Sequence, residues 1–135
     1  IVAATSAKFI AAFPKVGLVA DAGLLHTLPA RVGLGRARQI LLYARPVGAD
    51  AAQGMGLVDE VVPDGAALEA ALRHAAAFES LAPLSTALTK NYLARGLDEA
   101  LEWERNIQAS LMQTADHVEG RTAFLEKRAP RFEGR

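Results

Sequence analysis

The most regular hydrophobic period in the chain is helical. Across residues 97–113, Leu97, Leu101, Glu104, Ile107 and Leu111 fall on successive turns, with Asp98 near the start. Trp103 lies off that stripe, a position that suits partial burial against a neighbouring helix or a subunit contact. A second helical pattern covers residues 34–43, where Leu34, Ala37, Ile40, Leu41 and Ala44 share a face and Arg36 and Arg38 do not. An alanine-rich helix is expected over residues 66–81, with Leu68, Leu72, Ala75 and Leu81 near one stripe and Pro83 ending it. Ser85 can cap the next helix, which runs to Arg95 and closes at Gly96. Asp116 and Glu119 have the spacing of a capping box and predict a last helix through Arg128, ended by Pro130.

Strand patterns are fewer and shorter. Residues 1–4 read as a buried strand, residues 7–9 as a second, and residues 57–62 as the clearest one after the start. Pro63, Asp64 and Gly65 form a turn, proline presetting one angle and glycine tolerating a positive one. Pro46, Val47 and Gly48 separate the helix over 34–43 from a short one over 49–55. Ile1 to Ala4 open directly on an apolar run without the charged region of a signal peptide, which suggests a chain that starts inside a fold, on a late buried strand.

The stretch 9–33 breaks these patterns. It joins an apolar run, one acid, two early glycines and two prolines, Pro14 and Pro29, each expected to interrupt helix. Asp21 stands between extended Leu18 and Val19 and the short apolar run 24–28. Its carboxylate has two readings. It can accept hydrogen bonds from the first free amides of the following helix. Alternatively, desolvation by Leu18, Val19, Leu24 and Leu25 would suit it to general acid/base or nucleophilic work.

Composition narrows the alternatives. Fifteen basic residues balance fifteen acidic ones, so no overall field favours nucleic acid or an anionic membrane, although Lys127, Arg128 and Arg131 make a local basic patch. No apolar run approaches the roughly 20 residues a membrane span needs, and the chain is expected to be soluble. The absence of cysteine excludes disulfides, thiolate catalysis and cysteine-ligated zinc, and fits a reducing cytoplasm. His26, His74 and His117 are far apart, without metal-binding spacing, so no metal is expected. At 135 residues, with no repeat or long linker, the chain is one domain or part of one.

The segments SAKF (6–9), VGLVADAG (16–23) and LPARVGLGRARQILL (28–42), then GADAAQGMGLVDEVVP (48–63) and HVEGRTAFLEKRAPRFEGR (117–135), resemble the C-terminal half of the crotonase family, the enoyl-CoA hydratases and isomerases. The resemblance runs over the whole chain. It implies an α/β, crotonase-like fold, here mostly its helical C-terminal part with a few short strands. Residues 1–62 would be the end of the core with the acid-bearing loop, and 63–135 a helical trimerisation region. The assembly implied is a homotrimer or a hexamer built as a dimer of trimers.

The substrate implied is an acyl-CoA thioester, fatty or aromatic, with no separate cofactor because CoA is part of the substrate. Two backbone amides would hold its carbonyl and stabilise an enolate. In the family those amides, and most of the CoA-binding loop, belong to the N-terminal half. One catalytic glutamate of the hydratases falls where this chain has Phe13, which cannot transfer a proton, and the other would precede Ile1. Several branches carry an aspartate where Asp21 stands, which assigns it as acid/base or nucleophile.

Many members have two glycines after this acid. Here Gly23 is followed by Leu24 and Leu25, which would reshape the acyl pocket, while His26 is expected to be structural. Phe124 and Lys127 match positions that help hold the CoA adenine, often across a subunit boundary. Their alternative is a core phenylalanine and a solvated lysine. The expected activity is acyl-CoA isomerisation or hydration through an enolate. The alternative is a non-catalytic helical assembly module or truncated paralogue.

Overall fold

Two short parallel strands, β1 (Val2–Ala4) and β4 (Glu60–Val62), pair with Ala3 opposite Val61. They appear in a computed structural model that describes residues 1–135. The chain divides into two compact units that interleave in sequence. One comprises Ile1–Phe9 and Pro46–Arg95, the other Ile10–Arg45 and Gly96–Arg135.

In the first unit, β2 (Lys8–Phe9) pairs antiparallel with β3 (Val47–Gly48), and α2 (Ala49–Gly54) follows directly. Ala3, Ala52 and Val58 are buried together, with Phe9, Val47, Leu57 and Val61 packed on them. The strand expected over 57–62 is shorter at its start. The Leu57 and Val58 amides both donate to the Ala52 carbonyl, closing α2, so only Glu60–Val62 is left to pair with β1.

Helix α3 (Ala67–Ala76) buries Ala70, and its Arg73 and His74 both reach Glu60. It tightens into a 3-10 turn at Ala77–Ser80 rather than running to residue 81. Pro83 begins α4 (Pro83–Leu93) instead of only ending its predecessor, because the first helical position needs no N–H and the residue before it, Ala82, is extended. Ser85 therefore lies inside that helix and does not cap it.

In the second unit a 3-10 helix, Phe13–Val16, carries Pro14 in its first turn. Helix α1 (Leu24–Tyr43) continues through Pro29, against expectation. Proline there removes one hydrogen bond, whereas Gly33, at φ 76° and ψ 155°, leaves helical space and forms the actual kink. Beyond it Ala37, Ile40 and Ala44 are buried, while Leu34 is exposed. Helix α5 (Leu97–Leu111) follows Gly96, and α6 (Ala115–Leu125) is capped by Thr114, whose hydroxyl accepts the His117 N–H at 3.1 Å. The capping box read at Asp116 and Glu119 is thus displaced: a hydroxyl two residues earlier takes the cap, and both acids are free for other partners. No helix is long and apolar enough to cross a membrane.

Candidate functional site

Asp21 is exposed and opens a tight turn. Its backbone carbonyl accepts the Leu24 N–H at 3.0 Å, and both central residues hold positive φ, 56° at Ala22 and 76° at Gly23, as in a type I′ turn. The capping reading of Asp21 is not realised by the side chain. Gly23 is the N-cap of α1, and no side chain caps the helix. The enclosure expected from Leu18, Val19, Leu24 and Leu25 is not formed either: those residues are half-buried and Asp21 itself is exposed.

The turn is held from α5. Glu104, only 2 % exposed, accepts the Gly23 N–H at 2.8 Å through Oε2. One turn further along the helix, Gln108 donates through Nε2 to the Val19 carbonyl at 2.9 Å and, at a longer 3.4 Å, to Oδ2 of Asp21. These are the two buried residues of α5, so a polar pair occupies the centre of its inward face. The remaining oxygens, Oε1 of each, are buried without a hydrogen-bond partner.

A side chain at Gly23 would be strained. Besides its positive φ, a Cβ built there would lie 2.5 Å from Cδ1 of Leu97. The His26 ring rests beside Gly96, where a Cβ would come within 3.1 Å of it, consistent with the structural role expected of that histidine.

Leu24 and Leu25 open the first turn of α1, directly after the turn that Asp21 begins. Phe124 and Lys127 lie elsewhere. Phe124 is 73 % exposed, which rules out the core-phenylalanine alternative, and lines an open groove of about 380 Å³ with Pro14, Lys15, Tyr43, Arg128 and Phe132. Lys127 is exposed just past α6, at φ 55°. None of Asp21, Leu24, Leu25 or Lys127 lines that groove.

The last residues fold back over α6 on the two acids that the cap left free. Glu119 receives Arg128 in a two-pronged pair at 2.6 and 2.8 Å and also the Arg131 N–H at 2.8 Å. The Arg128 guanidinium, then the Arg131 amide, hold the Glu119 carboxyl down to about 2, and the same pairing pushes Arg128 above its ordinary value. Asp116 accepts the Glu133 and Gly134 amides at 2.7 and 2.9 Å. This strap places Arg128 and Phe132 in the wall of the Phe124 groove.

Sequence spacing put Glu104 on the apolar stripe of its helix, and a carboxylate at such a position was the available signal of a buried partner. Gln108 carried no signal beyond standing one turn later. Neither could be joined to the acid, because 81 residues separate Gly23 from Glu104.

Comparison with known proteins gives a consistent result. The family profile described as enoyl-CoA hydratase/isomerase matches residues 1–135. A probable enoyl-CoA hydratase of Rhodobacter capsulatus is 41 % identical over 140 residues, which cover 100 % of this chain and 54 % of that protein. The 1,2-epoxyphenylacetyl-CoA isomerase of Escherichia coli is 34 % identical over 139 residues, covering 100 % of this chain and 53 % of that one. Among solved structures, carnitinyl-CoA hydratase from Mycobacterium avium superposes with a TM-score of 0.90 at 32 % identity, over 99 % of this chain and 54 % of that one. The chain spans about half the length of the relatives it matches.

Proposed function

The chain belongs to the enoyl-CoA hydratase/isomerase family, and from that premise we propose that it is the acid-bearing half of an acyl-CoA isomerase or hydratase in which Asp21 carries the proton. The observation that supports this most directly is the state of the Asp21 side chain. It is exposed, it caps no helix, and its turn is fixed by hydrogen bonds from a separate helix. A carboxylate placed in this way can reach a bound ligand at no cost to the fold.

In the reaction proposed, the Asp21 carboxylate removes a proton from carbon 2 of an unsaturated acyl thioester. The C–H electron pair moves into the conjugated system, and the negative charge comes to rest on the thioester oxygen, which the family's two backbone amides would hold. Delivering a proton from the Asp21 carboxyl, which exchanges with water at this exposed position, to carbon 4 regenerates the thioester carbonyl with the double bond moved, and frees the carboxylate. Phe13 favours this proton shuttle over addition of water. It is half-buried and cannot activate water where the hydratases carry a second carboxylate.

The CoA adenine would lie near Phe124 and Lys127, an aromatic face beside a cation. Assembly as a trimer, or a hexamer made of two, would draw on residues 63–135. In that region Leu68, Leu72, Leu84, Leu88 and Tyr92 all expose more than half of their surface.

The experiment is Asp21→Asn assayed for conversion of a 3-enoyl-CoA to the 2-enoyl isomer. The reading predicts loss of turnover with the melting transition retained. Unchanged turnover would remove Asp21 from the mechanism.

A further inference from the structure

We propose that Glu104 and Gln108 are the positioning residues of the acid: Glu104 locks the turn that presents Asp21, and Gln108 holds Oδ2 so that Oδ1 is the oxygen that exchanges the proton. This rests on the acid role of Asp21 given above. Three observations support it.

The first is the pattern of bonds. All three side-chain hydrogen bonds from these residues go to the segment 19–23, at the Val19 carbonyl, Oδ2 of Asp21 and the Gly23 N–H. They therefore grip both flanks of the acid and one of its two oxygens. Oδ1 has no partner within the chain.

The second is strain. Ala22 holds φ 56°, a left-handed conformation that L side chains rarely adopt. Such a residue persists only where its surroundings determine it, and the buried bond from Glu104 to the next amide, at Gly23, supplies that constraint.

The third is the unmet hydrogen-bonding capacity of the pair. Oε1 of Glu104 and Oε1 of Gln108 are both buried without donors, each an expense in stability. A helix face selected for packing alone would carry Leu or Ile at these places, as it does at Leu97, Ile107 and Leu111. Polar groups kept there against that cost act through direction: they aim a loop.

The inference is tested with Gln108→Leu and Asp21→Asn side by side, on conversion of a 3-enoyl-CoA. A positioning role predicts kcat lower by about 10- to 100-fold in Gln108→Leu with KM within about twofold, because a misaimed base slows proton transfer without weakening substrate binding. It also predicts faster backbone motion at residues 19–23 by ¹⁵N relaxation, with a cooperative melting transition retained. Wild-type kcat in Gln108→Leu, or unchanged relaxation at 19–23, would overturn the inference. If Asp21→Asn abolishes turnover at the same time, the acid role survives that failure. If Asp21→Asn retains full turnover, the acid role itself falls and the inference with it.

Discussion

The Glu104 carboxylate and the Gly23 amide meet at 2.8 Å, joining the middle of α5 to the first residue before α1. Because Glu104 is buried, removing it leaves a donor without water or protein to satisfy it. Glu104→Ala is expected to destabilise the protein by about 1–3 kcal/mol. Glu104→Gln keeps an acceptor at the same place, so its cost should be smaller. Urea denaturation of the two variants checks the order. Equal costs would mean that the amide oxygen of glutamine does not replace the carboxylate oxygen as acceptor for the Gly23 N–H.

Gly120 gives a second stability test within the same unit. A Cβ at this position would lie 2.7 Å from Cα and 2.9 Å from the carbonyl carbon of Val16, both backbone atoms that no rotamer change can move. Gly120→Ala should therefore push the Phe13–Val16 turn off α6 and cost about 1–3 kcal/mol, despite the better helix propensity of alanine. Thermal unfolding of this variant should show a lower Tm, and a raised Tm would contradict the packing described.

The strap at residues 128–135 has a pH dependence of determined sign. Glu119 moves from an ordinary value of 4.5 to about 2 in the folded chain, chiefly through Arg128 and the Arg131 amide. A depressed carboxyl contributes stability that is present above pH 4.5 and is lost as the pH falls towards 2. Glu119→Gln should remove that acid-side loss of stability over the same window, measured by denaturation at a series of pH values. Because the pair lies at the surface, added salt should shrink the difference. An acid-side slope identical in the wild type and Glu119→Gln would exclude the ion pair as its source.

Much of the helical part was legible because a helical period such as that of α5 depends on neighbours in sequence. The misread boundaries share a cause, since local propensity does not say which of two nearby groups takes a free amide. Thr114 and Asp116 both suit a helix start, and the hydroxyl took the cap while the acid bound the returning strap. The amides of Leu57 and Val58 suited a strand, and the end of α2 claimed them. For the site, the type of residue at Asp21 was readable, but its exposure was not. The turn that carries Asp21 is held by Glu104 and Gln108, on a helix more than 80 positions away.

Phe124 offers a test of the groove. With its ring 73 % exposed, Phe124→Ala should leave Tm nearly unchanged and raise KM for an acyl-CoA, kcat being little affected. An unchanged KM, measured with the same thioester, would remove Phe124 from the binding surface.

The account stands most directly on the proton carried by Asp21, and solvent isotope exchange follows that proton itself. The protein is incubated in D₂O with an unsaturated acyl-CoA, and deuterium entering the acyl chain is followed by proton NMR for the wild type and Asp21→Asn. The account predicts exchange in the wild type and none above the buffer rate in the variant, with both proteins folded. Exchange at equal rates in the two would contradict it.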